Sequence, residues 1–169
     1  KRYEHKIDNA LLQNINNVID AGIGVTVGDV VMGDLGPQHG VKKFGILGDP
    51  LNLVARIESL TRLFNADIII AGDFLNTVED SGLVVRRLGR IKVKGRIIPE
   101  VLYALGCPED QRFEKNNIDQ WTKWLEEVES GIDSQLDCPE CYQKDKNTVL
   151  GWMNCKLLGD DGVWYLDKK

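Results

Sequence analysis

The chain has 169 residues, 43% of them apolar, and a formal net charge of −5. That length suits one domain with an extension and encloses a real core. The acidic balance, without interleaved exposed aromatics, argues against a nucleic-acid partner, and no apolar run approaches the roughly 20 residues a membrane span needs. The first residues, Lys1-Arg2-Tyr3-Glu4-His5-Lys6, form no apolar leader; the expectation is a cytoplasmic piece of a larger protein.

In chain order, Ile7, Leu11, Ile15, Val18 and Ile19 recur at helical spacing and predict an amphipathic helix over 5–20. Gly22 closes it. Residues 23–27 and 30–35 are β-rich and flank Gly28-Asp29, which reads as a tight hairpin. Gly36-Pro37-Gln38-His39-Gly40 is loop chemistry, and 41–47 is extended. A helix is expected from Pro50 to about Leu63, a buried strand over 67–71 and a short helix over 73–80 capped by Asp73. Two antiparallel strands, 83–94 and 99–105, follow around Gly95.

The helix after Gly48 carries the first chemical signal. Asp49 can cap it, and Pro50 suits its first turn. Asn52 and Arg56 are four residues apart, so they share a helical face. An amide and a planar cation side by side suit an oxygen-rich ligand such as a polyphosphate. The second signal is a basic strand. Arg90, Lys92, Lys94 and Arg96 alternate with Ile91, Val93 and Ile97, which places the cations on one face. Two readings stand: a solvated sheet face, or a polyphosphate contact centred on Lys94 beside the flexible Gly95.

Residues 1–106 carry 13 Lys/Arg against 12 Asp/Glu, and residues 107–169 carry 8 against 14. A nearly neutral body therefore precedes an acidic tail, with a boundary near Cys107-Pro108. In the tail, Trp121, Trp124, Leu125 and Val128 mark one face of a helix over about 118–130, read as packing onto the body or a partner. A second helix is expected over 146–157, then a turn and a short strand at the end. Cys138-Pro139-Glu140-Cys141 has the spacing of one zinc knuckle, but a structural site needs four ligands. Cys107 and Cys155 as further ligands, a redox pair and free thiols are the alternatives, with free thiols the default.

Taken together, these motifs strongly resemble class III adenylate/guanylate cyclase catalytic domains. The resemblance runs through Gly22-Ile23-Gly24-Val25, Gly28 and Gly33, then Gly48-Asp49-Pro50-Leu51-Asn52-Leu53-Val54-Ala55-Arg56-Ile57-Glu58-Ser59-Leu60, then Leu88-Gly89-Arg90 and Val93-Lys94-Gly95. It covers about residues 5–105. It implies an α+β, ferredoxin-like domain, present here as its carboxy-terminal portion, with a mainly helical extension over 107–169. It also implies conversion of a nucleoside triphosphate, ATP favoured, to a 3′,5′-cyclic nucleotide and pyrophosphate. The partner would be a second copy or a complementary cyclase half, with sites at the dimer interface. On the matching positions, Asn52 would orient the ribose, Arg56 would stabilise charge on the reacting phosphate, and Lys94 would bind the terminal phosphates.

Two departures qualify that implication. The family's two metal-binding aspartates belong to motifs that do not occur here, so Mg²⁺ or Mn²⁺ would be held by residues outside this chain. Asp29 and Asp34 sit at turn-like positions and are not assigned to metal. The base-reading position is Gly45, which has no side chain to meet the purine edge. Its pocket reads the base through backbone or water, is permissive, or is degenerate. Three functions follow: half of an active cyclase, a degenerate nucleotide-binding or dimerisation module, or a structural unit whose tail docks a partner.

Overall fold

The computed structural model describes residues 21–78, 81–94 and 96–166. The helix expected over 5–20 lies outside them. The described chain is a mixed α+β fold, compatible with a ferredoxin-like arrangement. A five-stranded sheet has the order β1 (Ile23–Val25), β4 (Ile68–Ala71), β6 (Glu100–Gly106), β5 (Val84–Lys92), β7 (Trp164–Tyr165). The pairs β1/β4 and β5/β7 are parallel, and β6 is antiparallel to both its neighbours. The strands β2 (Val31–Leu35) and β3 (Lys43–Leu47) form a separate two-stranded arm.

That arm corrects the expected hairpin. Residues 23–27 and 30–35 do not pair with each other. Ile23 aligns with Ile68 in the large sheet, whereas Val31 aligns with Leu47. The turn lies at the Gly36–Gly40 loop instead of Gly28-Asp29. The reason is packing: β1 is pinned beneath α1 (Asp49–Leu60). A Cβ on Gly24 would stand 2.6 Å from the carbonyl oxygen of Val54 and 2.8 Å from the Glu58 nitrogen. Only glycine lets strand and helix backbones approach so closely.

Helix α1 buries Leu53, Ile57 and Leu60, spaced i, i+4 and i+7, against one sheet face. Each contributes roughly 1.5–3 kcal/mol of burial. The same core takes Leu88 and Ile91 of β5, Leu102 and Ala104 of β6, and the tail's Trp121, Trp124 and Trp164. The opposite face packs Ile70 and Leu105 against Val78 of the short helix α2 (Leu75–Val78). Asp73 does not cap that segment. Its carboxylate accepts the Thr26 hydroxyl at 3.0 Å, and Asp73 itself lies within the 3-10 turn Gly72–Phe74 that leads into α2, a turn whose capping position is Ala71.

The tail is helical where its apolar spacing predicts. Helix α3 (Lys115–Glu129) buries Trp121, Trp124, Leu125 and Val128, all facing the core. Helix α4 (Gln143–Asn154) begins and ends three residues earlier than its expected span. In the basic strand the alternation holds from Arg90 to Lys94: Ile91 and Val93 are buried, Arg90 and Lys94 are exposed, and Lys92 is half-buried beside the Tyr165 ring. A bulge between Arg87 and Gly89 exchanges the faces of β5, and Gly89 takes a φ of 131° there. Ile97, expected inside, is exposed because the strand ends at Lys92.

The bulge places Arg86 inward. It is wholly buried, its guanidinium 4.1 Å from the Tyr142 ring centroid and 5.1 Å from that of Trp121. Its Nη2 stands 3.3 Å from Oδ1 of Asp145, also wholly buried on α4. That oxygen accepts the Asn65 backbone N–H at 2.8 Å. The Tyr142 hydroxyl donates to the Arg112 carbonyl, and the Trp121 indole donates to the Arg87 carbonyl at 2.6 Å. Beside this pair, Cys138 and Cys141 are free and half-buried, while Cys107 and Cys155 are free and exposed. Burial pushes the Cys138 thiol up to about 11, partly opposed by Lys146.

Truncating Asp145 strands a buried cation, so Asp145→Ala should lose about 3–5 kcal/mol in chemical denaturation. Restoration of stability by Arg86→Met with Asp145→Leu would identify the lost partner as the cause. The cysteines give a second expected outcome. The raised Cys138 value keeps its thiol protonated and unreactive until pH approaches 11. Iodoacetamide at pH 8, followed by mass spectrometry of peptides, should modify Cys107 and Cys155 well before Cys138. The Cys138 rate should climb steeply as pH rises.

Candidate functional site

Asn52 and Arg56 stand together on the exposed side of α1, opposite Leu53, Ile57 and Leu60. The helix starts differently from expectation. Gly48 occupies the capping position without a side-chain bond, and Asp49 is the first helical residue. The Asp49 carboxylate is not spent on the backbone. Its Oδ2 meets Nη1 of Arg96 at 2.5 Å, while Nη2 of Arg96 meets Oε1 of Glu100 at 2.7 Å. Pro50 follows within the first turn, where it leaves no extra donor unpaired. A Cβ on Gly28 would meet the Pro50 ring at 2.5 Å, so the β1–β2 connection crosses directly over the start of α1.

Lys94 lies in the turn after β5, exposed, with the Arg96 backbone N–H closing onto the Val93 carbonyl at 3.2 Å. Gly95, its expected flexible neighbour, is outside the described residues. Because Arg96 grips the first turn of α1, the Lys94 turn and the beginning of the Asn52–Arg56 helix are neighbours. Asn52 follows Asp49 by three residues, about one helical turn. Gly45 lies further along, in β3, opposite Gly33 of β2. A Cβ at Gly45 would come within 2.6 Å of Cδ1 of Leu35. The end of an aliphatic side chain thus occupies the space beside Gly45, the position to which the resemblance assigns base reading.

The fates of the basic residues separate structural cations from available ones. Arg86 is buried with Asp145. Arg87 pairs with Glu129 at 2.7 Å, and the second oxygen of Glu129 accepts the Trp164 indole at 3.1 Å. Lys92 lies 5.3 Å from the Tyr165 ring centroid. Arg112 is held by Asp67 and Asp110, which raises its basicity and keeps the Asp110 carboxyl below its ordinary value. Among the described residues, neither Arg56 nor Lys94 has an ion-pair partner. The acidic tail takes up Arg86 and Arg87 of β5 and neither of these two.

Around Arg96 the electrostatics are crowded. Burial raises the Glu100 carboxyl above its ordinary value; Arg96 lowers it, and Asp73 and Asp49 raise it again. Two carboxylates therefore share the Arg96 guanidinium, and Asp73 adds a third negative charge near Glu100. No sequence pattern marked Arg96 as an anchor, because its partners are 47 residues earlier and four residues later. Only the salt-bridge geometry reveals it. Among the described residues, no three His, Cys, Asp or Glu side chains are grouped to hold a metal ion. The described residues do not assemble a two-metal centre. No helix among the described residues is long and apolar enough to cross a membrane.

No protein-family model matches the chain. It is similar to the adenylate cyclase of Dictyostelium discoideum described as terminal-differentiation specific, with 24% identity over 147 residues. The match takes in 81% of this chain but spans 7% of that protein's length. Over most of its length, then, the chain is related in sequence to a piece of an adenylate cyclase.

Proposed function

We propose that this chain is the carboxy-terminal portion of a class III nucleotide cyclase catalytic domain, with ATP the favoured substrate. The observation that carries the reading is the exposed pair Asn52 and Arg56 on a helix anchored by its other face, beside the Lys94 turn. The likeness to an adenylate cyclase supports it. In this reading Lys94 holds the terminal phosphates and Asn52 orients the ribose. The attacking 3′-oxygen then lies in line with the α-phosphorus, and the bond to the pyrophosphate leaving group breaks as the new P–O bond forms. Arg56 meets the charge that grows on the phosphate oxygens. A guanidinium fixed beforehand stabilises that charge more than it stabilises bound substrate. Mg²⁺ or Mn²⁺ would be held by carboxylates elsewhere in the complete site, and this chain alone forms no product.

The completing partner is a second copy or a complementary cyclase half. The β2–β3 arm favours this. Val31 is 69% exposed, Met32 59%, Phe44 69% and Leu47 55%. An isolated two-stranded ribbon is marginal in water, so an arm with apolar residues on show calls for cover. One observation favours a second reading, a nucleotide-binding or dimerisation module without turnover. Leu35 occupies the place of a base-reading side chain at Gly45.

The two readings part in the full-length protein. Arg56→Ala and Asn52→Ala should each reduce cyclic nucleotide formation by at least about 10²-fold, while ATP binding weakens much less. Turnover unchanged in Arg56→Ala would remove the cyclase reading. Phe44→Asp places a charge on the arm. Sedimentation velocity at matched concentration should show a shift towards the monomer.

A further inference from the structure

Arg96 has a role that its position in the basic strand does not announce. Its guanidinium is largely enclosed, with its side chain 17% exposed, and each terminal nitrogen goes to a different element. One reaches Asp49 in the first turn of α1. The other reaches Glu100 at the start of β6. Its own backbone N–H closes the turn that carries Lys94. Three pieces of chain thus meet at one side chain: the helix bearing Asn52 and Arg56, the strand returning through the sheet, and the Lys94 turn.

We infer that Arg96 is a positioning residue: by bridging Asp49 and Glu100 it sets the Lys94 turn against the start of the Asn52–Arg56 helix and leaves the Lys94 ammonium free for a triphosphate. This rests on the nucleotide-binding reading of the preceding subsection. Two physical effects support it. The first is geometric. A planar fork satisfies two carboxylates in fixed directions, which a single ammonium does not. A displacement of about 1 Å between groups that share one substrate costs on the order of 10²-fold in rate. The second is electrostatic. Asp49 and Glu100 share one guanidinium, and Asp73 acts on Glu100 from nearby, so negative charge is in local excess. Without Arg96 that charge would repel a triphosphate. It would also attract the nearest free cation, Lys94, two residues away. Arg96 therefore keeps Lys94 available by occupying its competitors.

The test uses the full-length protein, with MgATP or MnATP as the probe and initial rates fitted for KM and kcat. Arg96→Gln should raise KM about tenfold or more and lower kcat by a smaller factor, because a displaced Lys94 weakens binding before chemistry. Arg96→Lys, which reaches one carboxylate, should recover part of the loss. Asp49→Asn breaks the helix side of the bridge at an exposed carboxylate and should move KM in the same direction without loss of folding. The decisive arm is the double variant. If Arg96 acts through Lys94, Arg96→Gln adds less than twofold to the KM of Lys94→Ala. Fold-changes that multiply in the double variant, or a kcat loss at unchanged KM, would overturn the inference and leave the cyclase reading standing. An unchanged KM in Lys94→Ala would overturn both.

Discussion

The Arg86–Asp145 pair is the constraint on which the arrangement of the molecule depends. A guanidinium on β5 is wholly out of water, and so is its carboxylate on α4. Desolvating two charges is costly, and their attraction in a low-dielectric interior recovers that cost only when each keeps its partner. The partner is available only if α4 lies across the sheet. The rings of Trp121 and Tyr142, which flank the cation, are available only if α3 and the segment before α4 lie there too. Apolar contact alone tolerates many placements of a tail on a sheet. A buried charge tolerates few.

The consequence reaches the candidate site through charge accounting. The body is close to neutral and the tail carries the acid excess. In the fold, Glu129 and Asp145 of the tail engage Arg87 and Arg86 of β5. Asp49 and Glu100 of the body engage Arg96. Among the described cations left without an ion pair are Arg56 and Lys94, which the cyclase resemblance assigns to phosphate. A stripe that reads as uniform in sequence is divided in space into fasteners and free charge.

The sequence shows most of the fold because most of its elements obey local rules. The i, i+4, i+7 series of Leu53, Ile57 and Leu60 and the aromatic face of α3 follow from helical period. The strands β5 and β6 follow from β-branched content around a glycine turn. Local pattern and structure diverge where pairing is decided at a distance. Residues 23–25 and 31–35 have hairpin character, yet the first run joins a strand more than 40 residues on because α1 clamps it. The period-2 alternation holds from Arg90 to Lys94 and stops at Ile97, because β5 ends at Lys92; the inward turn of Arg86 depends on the bulge that precedes that run. The Asn52–Arg56 pair was legible from spacing. Arg96 was not, since nothing local distinguishes an arginine that bridges two elements from one that faces water. The obstruction at Gly45 belongs to the same class, because Leu35 comes from the opposite strand.

The last strand has a kinetic meaning. Strand β7 joins the sheet beside Ile91 and Lys92, and the Leu166 N–H donates to the Lys92 carbonyl at 3.1 Å. That carbonyl precedes Lys94 by two residues. The pairing spans more than 70 residues of chain, so its loop-closure entropy is overcome late in folding. On a ribosome, residues 84–92 leave the tunnel well before their outer neighbour has been made. During that interval β5 presents an unpaired edge, the kind of surface that recruits foreign strands. The turn bearing Lys94 then acquires its final footing only after Trp164 and Tyr165 have been synthesised. Errors in the tail would register at the Lys94 turn as slow maturation, even where the finished proteins are equally stable.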